Sequence, residues 1–100
     1  MSKVETVYQR RLIDRIEREF PGSIVLKSDP SEIQGFPDLL ILYKDKWAAL
    51  EVKMAHDSDK EPNQEYYVDL LGRMSYCSFI YPAIEELVFH ELQRALNGRG

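Results

Sequence analysis

The chain has 100 residues, with 13 Lys and Arg against 17 Asp and Glu, a formal net charge of −4 and an isoelectric point near 5.1. Its 44% hydrophobic and 30% charged residues are typical of a folded domain rather than a disordered chain, and the length predicts one domain over 1–100. Taken alone, the acidic balance argues against a nucleic-acid binder, which usually has an excess of Lys and Arg.

The first half of the chain predicts a helix, a strand and a β-hairpin. In chain order these are an amphipathic helix over 4–20, a short strand over 23–27, a polar loop over 28–35, and hairpin strands over 38–43 and 47–53. The polar residues 44–46 separate the two hairpin strands. Pro21-Gly22 ends the helix, because these residues interrupt helical periodicity.

The second half predicts two helices with a strand between them. A charged loop over 54–61 leads to a helix from Pro62 to about Leu71 that stops at Gly72. A strand follows over 76–81, and Pro82 begins a last helix whose apolar face includes Ile84, Leu87, Val88, Leu92 and Ala95. The order α-β-β-β-α-β-α predicts an α/β fold in which a small mixed sheet is flanked by helices.

Membrane and disulfide chemistry have no support in the sequence. The longest apolar run, 39–43, is far shorter than the roughly 20 residues of a membrane-spanning helix, and the first residues lack the apolar centre of a signal peptide. Cys77 is the single cysteine, which excludes an intrachain disulfide and a cysteine zinc site. We therefore expect no membrane partner and a reducing, cytoplasmic compartment.

The hairpin brings charged residues to one end of the sheet. Its first strand begins at Pro37-Asp38, and its second strand ends with Glu51-Val52-Lys53. Because side chains alternate along a strand, Glu51 and Lys53 share a face. Asp38 joins that face if the connection between the strands has two or four residues but not three, and the sequence leaves this register open.

These residue types suit a metal site. Two carboxylates a few ångströms apart, with a neighbouring backbone carbonyl, are ligands that Mg²⁺ prefers, and buried charges of this kind need compensation. An adjacent Lys could orient or deprotonate a metal-bound water and stabilise charge that develops on a phosphate. The alternative is an exposed hairpin end with ordinary surface salt bridges, because Glu-x-Lys patterns are common.

The first helix adds an acid to this group. At 100° per residue, Glu5 and Gln9 fall on the apolar stripe with Leu12 and Ile16. A metal at the hairpin end would give Glu5 a partner, although an acid in the first turn is also favoured by the helix dipole alone. Glu19 falls on the same stripe in the last turn, so the sequence does not decide which of the two is the helix acid.

Further polar residues could contact a substrate. Gln64 begins the apolar face of its helix, where its amide could bond to the lysine, to the attacking water or to a phosphate, or could simply reach solvent. Arg11 and Arg15 flank the apolar stripe of the first helix and could contact phosphates. The alternative is a solvated helix face on which Asp14 and Glu17 balance their charge.

Together, Gly35-Phe36-Pro37-Asp38, Glu51-Val52-Lys53 and Pro62-Asn63-Gln64 resemble the PD-(D/E)XK nuclease superfamily, and most closely its VRR-NUC type. Glu5, four residues before Gln9, is similar to the early helical acid of that type. The resemblance spans roughly 4–96 and implies a restriction-endonuclease-like core.

The resemblance also implies residue roles. Asp38, Glu51 and the Val52 carbonyl would hold the metal, Lys53 would be the catalytic lysine, Glu5 would complete a second metal site, and Gln64 would be an accessory polar residue. It implies one or two Mg²⁺ ions per site, with Mn²⁺ as a substitute. The small stand-alone members of the family resemble Holliday-junction resolvases and are phage or bacterial homodimers, which implies a bacterial or phage-infected host cell.

We therefore expect a Mg²⁺-dependent endodeoxyribonuclease in which a metal-activated water attacks the phosphodiester in line. Since the catalytic core takes up nearly the whole sequence, we expect recognition of DNA shape, such as a Holliday junction or flap, rather than base reading. Symmetric cutting of a junction favours a homodimer. The alternative is a non-catalytic nucleic-acid-binding or assembly module of the same fold.

DNA contacts are expected, more weakly, at Arg11, Arg15 and Gln9. The acidic balance ceases to argue against DNA if the site holds Mg²⁺, because bound cations add positive charge where the phosphate must lie. We accordingly expect weak DNA binding without metal.

Overall fold

The chain folds as a mixed α/β protein in the computed structural model, which describes residues 3–29 and 31–98. Residues 1, 2, 30, 99 and 100, which the predicted domain 1–100 includes, lie outside the described residues; residue 30 also belongs to the predicted loop 28–35. The elements are α1 Lys3–Glu19, β1 Ile24–Lys27, β2 Leu39–Tyr43, β3 Lys46–Val52, α2 Gln64–Met74, β4 Tyr76–Ile80 and α3 Glu85–Leu96. This sequence of elements confirms the predicted order α-β-β-β-α-β-α.

Within the described residues, the strands form one four-stranded sheet in the order β1-β2-β3-β4. β1 and β2 are antiparallel, β2 and β3 are antiparallel, and β3 and β4 are parallel. The parallel pair requires a crossover, which α2 supplies between the end of β3 and the start of β4. The sheet is therefore mixed, as predicted.

The two faces of the sheet differ in what they bury. One face packs against α1 and α3 and contains the main apolar core, in which Leu39, Ile41, Leu50, Val52 and Ile80 contribute from the strands. The other face carries α2, which contacts β3 and β4. Because side chains alternate along β3, a residue next to a core residue points toward α2 instead.

The hairpin turn resolves the register that the sequence leaves open. Lys46 pairs with Tyr43, so the connection has two residues, Lys44-Asp45, rather than the three that the polar run 44–46 indicates. Lys44 closes the tight turn with a φ of 57°. Continuing the register by one step from the last ladder pair places Asp38 opposite Glu51.

Helix α2 differs from the sequence prediction at both ends. Pro62 lies before the helix, whose first residue is Gln64, and Asn63 precedes it with a left-handed φ of 73°. The helix also continues through Gly72 to Met74. A glycine inside a helix costs only about 1 kcal/mol relative to alanine, so it did not stop this one.

Helix α3 also differs from the prediction. Pro82–Ile84 form a 3₁₀ turn, and the α-helix begins at Glu85. Leu87, which the periodicity places on the apolar face, is 57% exposed, while Phe89 and Leu96 are buried. The predicted face is confirmed at Val88 and Leu92, which are buried, and at Ile84, which packs against the core. It is wrong at Leu87, because packing on the sheet centres the buried stripe on Val88, Phe89, Leu92 and Leu96.

Arg15 joins α1 to α3. Its guanidinium bonds to Glu85 at 2.7 Å and to Glu86 at 2.8 and 2.9 Å, and also to Glu19 at 2.7 Å within α1. The same group lies 4.0 Å from the centre of the Phe89 ring. These contacts attach the middle of α1 to the first turn of α3.

None of the helices in the described part of the chain combines the length and the apolar character needed to cross a membrane.

Candidate active site

A cavity of about 420 Å³ lies where β2 begins and β3 ends. Its lining residues are Glu5, Asp38, Glu51, Lys53, Ser58, Asp59, Glu61 and Gln64, and we call it the acidic cavity. The structure thus brings the five residues predicted as catalytic, from α1, the hairpin and α2, to one place.

Asp38 is oriented by the strand that it faces. The Val52 N–H donates a hydrogen bond of 2.9 Å to Asp38 Oδ2. In a ladder the N–H and C=O of one residue point to the same side of the strand, so the Val52 carbonyl is also directed toward the Asp38 side. Burial raises the pKa of Asp38, although this hydrogen bond and the charge of Lys53 oppose the shift.

Glu51 is a buried carboxylate whose two oxygens differ in their hydrogen bonding. It is 2% exposed, and Gln64 Nε2 donates a 2.8 Å hydrogen bond to its Oε2. Lys53 Nζ lies 3.7 Å from the same oxygen, a distance of ionic attraction rather than a hydrogen bond. Among the described residues, Glu51 Oε1 has no hydrogen-bond donor although it is buried.

The electrostatics of the cavity disfavour the charged form of Glu51. Burial raises its pKa to about 8, and the negative charge of Asp38 contributes to the shift. Lys53 opposes the shift without cancelling it. Lys53 therefore compensates only part of the negative charge of the cavity, and a bound cation would take the place of the proton that Glu51 retains.

Lys53 and Gln64 are held by the loop that follows β3. Lys53 Nζ donates a 3.0 Å hydrogen bond to the carbonyl oxygen of Asp59. Gln64 Oε1 accepts a 2.9 Å hydrogen bond from the Glu61 N–H. The sequence signals neither backbone partner, because a main-chain group carries no residue-type signature.

The structure decides which acid of α1 belongs to the cavity. Glu5 lines it, and burial together with the charge of Asp38 raises the pKa of Glu5. Glu19 instead bonds to Arg15 in the last turn of α1. Glu5 is therefore the helix acid that the geometry places near Asp38.

Gly35 allows the loop before β2 to lie against the start of α2. Its φ is +89°, and a Cβ at this position would lie 2.7 Å from the Asn63 backbone and from the Pro62 carbonyl oxygen. Phe36 continues the contact, because its ring centre lies 5.9 Å from that of Tyr67. A Gly three residues before Asp38 is visible in the sequence, but the sequence does not show that the start of α2 lies against it.

The residues predicted to contact DNA are placed differently from one another. Arg11 is exposed. Arg15 is committed to carboxylates of α1 and α3, and Gln9 is only 2% exposed. Of the three residues, Arg11 is the one whose side chain is both exposed and outside the ion pairs of Arg15, and contact with DNA stays a prediction for all three.

The donor set fits a hard cation only in part. In the described ranges, no three His, Cys, Asp or Glu side chains lie close enough together to hold a metal ion by themselves. Mg²⁺ usually binds through one or two carboxylates and keeps several waters. Asp38, Glu51 and the Val52 carbonyl fit that pattern, and the unpartnered Glu51 Oε1 supplies an available lone pair.

The fold is similar to that of a solved structure described as a VRR_NUC domain protein, with a TM-score of 0.64 and 17% sequence identity. The match covers 97% of this chain and 91% of that chain. No protein-family model matches the sequence, and no curated protein matches it. At 17% identity the similarity concerns the fold alone. It is the fold that the resemblance of the sequence motifs implies.

Proposed function

We propose that the chain is a Mg²⁺-dependent endodeoxyribonuclease that hydrolyses phosphodiester bonds in branched DNA, such as a Holliday junction, and acts as a homodimer. The observation that carries the proposal is the buried Glu51 beside Asp38 and Lys53 in the acidic cavity, with Glu51 Oε1 unpartnered among the described residues. The fold shared with a VRR_NUC domain protein supports a nuclease.

The arrangement favours a cation-binding role over a purely structural one. A buried carboxylate is normally satisfied by donors, because desolvation without compensation is costly. Here Gln64 satisfies one oxygen of Glu51, while burial and Asp38 destabilise the charged form. A divalent cation held by these carboxylates would relieve the repulsion and would supply positive charge for a phosphate and for the oxygen that attacks it.

The protein residues would have separate tasks. Asp38, oriented by Val52, and Glu51, oriented by Gln64, would present carboxylate oxygens to the cation. The Lys53 ammonium, held by the Asp59 carbonyl, is positioned in the same cavity to donate to an attacking water or to a phosphate oxygen. Glu5 would support a second ion.

The charge of the cavity bears on the substrate. Among the described residues, Lys53 is the one basic side chain in a cavity lined by Glu5, Asp38, Glu51, Asp59 and Glu61, so DNA phosphate is repelled until a cation binds. Symmetric cleavage of a four-way junction needs two such sites, which favours a homodimer with two-fold symmetry.

Cleavage assays with Lys53→Ala test the proposal. With Mg²⁺ or Mn²⁺, the wild type should cut a four-way junction faster than a flap or a linear duplex, and Lys53→Ala should be slower by about 10²–10⁴-fold. Lys46→Ala is the matched control, because Lys46 lies at the opposite end of β3. Cleavage should stop in EDTA.

The alternative, a non-catalytic module, makes a different prediction. A wild type that binds branched DNA but leaves every substrate intact with either metal would contradict the nuclease and favour the module. Equal cleavage by wild type and Lys53→Ala would contradict the site.

A further inference from the structure

A second cavity of about 280 Å³ lies on the other side of Lys53. Its walls include His56, Lys60, Val68, Phe79 and Tyr81, and we call it the aromatic cavity. Lys53 lines both cavities, so a group that leaves the acidic cavity past this side chain enters the aromatic one.

The aromatic cavity has the opposite charge character. No carboxylate lines it within the described residues, whereas Lys53, His56 and Lys60 do. The Lys60 ammonium lies over the Phe79 ring, 5.3 Å from its centre, so a base that stacks on this face must displace the ammonium toward the adjoining phosphate. A polyanion repelled by the acidic cavity can therefore approach here.

The register of the sheet places a residue of each cavity on adjacent strands. Phe79 is the direct partner of Glu51 in the parallel ladder of β3 and β4. Adjacent strands are ~4.8 Å apart, and paired residues share a face of the sheet. A nucleotide whose phosphate lies at Glu51 therefore has an aromatic platform one strand away.

The size of the aromatic cavity restricts what can enter. Val68 on α2 and Tyr81 after β4 line it together with Phe79. A base that remains paired and stacked in a duplex cannot reach such a recess, whereas a base taken out of the stack can. Single-stranded nucleic acid is commonly held in this way, by bases on aromatic side chains and backbone phosphates beside cations.

We propose that the aromatic cavity binds the base of an unpaired nucleotide adjoining the scissile phosphate, with the base stacked on Phe79 and a neighbouring phosphate facing Lys60. The inference rests on the proposed nuclease function and adds one requirement to it. A nucleotide that is paired in a four-way junction must leave its stack at the branch point before the adjoining phosphate is cleaved. Because every base has a stacking face, no preference among bases is expected.

Binding without cleavage tests the platform. Fluorescence anisotropy in Mg²⁺, with a short single-stranded oligonucleotide whose phosphorothioate linkages resist hydrolysis, measures the affinity for the intact chain. Phe79→Leu keeps an apolar side chain but removes the ring, and should weaken binding by about tenfold, whereas Phe79→Tyr should restore it. Tyr66→Leu, which removes an exposed aromatic ring that does not line the cavity, is the matched control.

The contribution of Lys60 is read from the salt dependence. Lys60→Gln should lower the slope of log affinity against log salt by about 0.7, the value for one phosphate contact on a single strand. Lys44→Gln, at the hairpin turn, should leave the slope unchanged. Equal slopes for Lys60→Gln and the wild type would contradict a phosphate at Lys60.

An abasic substrate locates the base. Replacing one unpaired nucleotide at the branch point by an abasic residue should weaken wild-type binding by about tenfold and should not weaken Phe79→Leu further. If Phe79→Leu does not fold, the abasic penalty on the wild type alone decides. An abasic penalty absent from the wild type, or one that is independent of Phe79, would overturn the inference.

Failure of the inference and failure of the proposed function give different results. If the wild type binds the oligonucleotide through Phe79 but cleaves nothing, the base site is supported and the nuclease function is contradicted. If the wild type cleaves branched and continuous duplex DNA equally well, and Phe79→Leu affects neither reaction, the nuclease function is supported and the base site is contradicted.

Discussion

Gln64 Nε2 donates a hydrogen bond to Glu51 Oε2 over 2.8 Å, which ties the first residue of α2 to the end of β3. Gln64 Oε1 accepts from the Glu61 N–H at 2.9 Å, so both ends of the amide are engaged and its orientation is set. This relationship decides which Glu51 oxygen remains available: Oε2 is taken, and Oε1 is left for a cation.

Removing the amide should destabilise the protein and weaken its metal site. Gln64→Ala leaves Glu51 Oε2 without this donor, which should lower the free energy of unfolding by about 1–3 kcal/mol in urea denaturation. The increase in Tm caused by Mg²⁺ should also shrink. Gln34→Ala is the matched control, because Gln34 is exposed, and it should change stability by less than about 0.5 kcal/mol. A loss no greater than that of the control would contradict the role of Gln64.

The raised pKa of Glu51 predicts that metal-free stability falls with rising pH. The pKa is about 8 in the folded protein against 4.5 for an unperturbed Glu, so the folded state binds more protons between these values. The stability contribution is complete below about pH 4.5 and is lost as the pH rises through about 8. Tm measured in EDTA should fall accordingly, and Glu51→Gln should flatten the fall. Glu17→Gln, an exposed control on α1, should leave it unchanged.

The same carboxyl predicts how metal stabilisation depends on pH. A cation must displace the Glu51 proton, so at fixed Mg²⁺ concentration the rise in Tm should increase between about pH 6 and pH 9. Glu51→Gln should abolish the rise at every pH. A metal effect on Tm that is independent of pH, or that persists in Glu51→Gln, would place the ion elsewhere.

Gly35 and Gly22 form a matched pair for testing the contact between the loop and α2. Their φ values are +89° and +88°, but a Cβ at Gly22 meets no described atom within 4 Å, whereas one at Gly35 meets the Asn63 backbone at 2.7 Å. Both alanine variants should lose the roughly 1 kcal/mol of a left-handed residue. Gly35→Ala should lose about 1–3 kcal/mol more and also cleavage activity, since α2 must shift. Equal losses of stability in the two variants would show that the Asn63 backbone can move away from a Cβ at position 35 at little cost.

Arg15 and Arg11 separate stability from DNA binding. Arg15→Ala breaks the contacts with Glu85, Glu86 and Phe89 and should reduce the free energy of unfolding by about 1–3 kcal/mol. Arg11→Ala should leave stability within about 0.5 kcal/mol of wild type but should weaken DNA binding and its salt dependence. A salt slope that changes for Arg15→Ala and not for Arg11→Ala would reverse this assignment.

Sequence reasoning was sound wherever one residue's chemistry or a strong period carries the information. The periodicity of α1 placed Glu5 on a buried stripe, and strand alternation placed Glu51 and Lys53 on one face. It failed where packing with another segment decides the outcome. The polar residue Lys46 is typical of a loop but pairs with Tyr43, and the side of α3 that packs on the sheet leaves Leu87 exposed.

Parts of the candidate site lay beyond prediction because their partners are not side chains. Lys53 is held by the carbonyl of Asp59, and Asp38 by the N–H of Val52. Arg15 shows the converse: its charge suggested a phosphate, but carboxylates of α3, seventy residues later, are brought to it by the fold. Contacts between distant segments of this kind leave no local pattern.

Side chains alternate between two roles along β3 and at Lys53, the residue that follows it. Ala48, Leu50 and Val52 face the core, whereas Glu51 and Lys53 face the acidic cavity. Substitutions at alternate positions can therefore alter chemistry or packing separately, which makes this strand a natural place to install another metal site or nucleophile. A library that randomises 51 and 53 while keeping 48, 50 and 52 should preserve the apolar core, at a cost of about 1–3 kcal/mol wherever the bond from Gln64 is lost. Each folded variant would present new functional groups to the cavity.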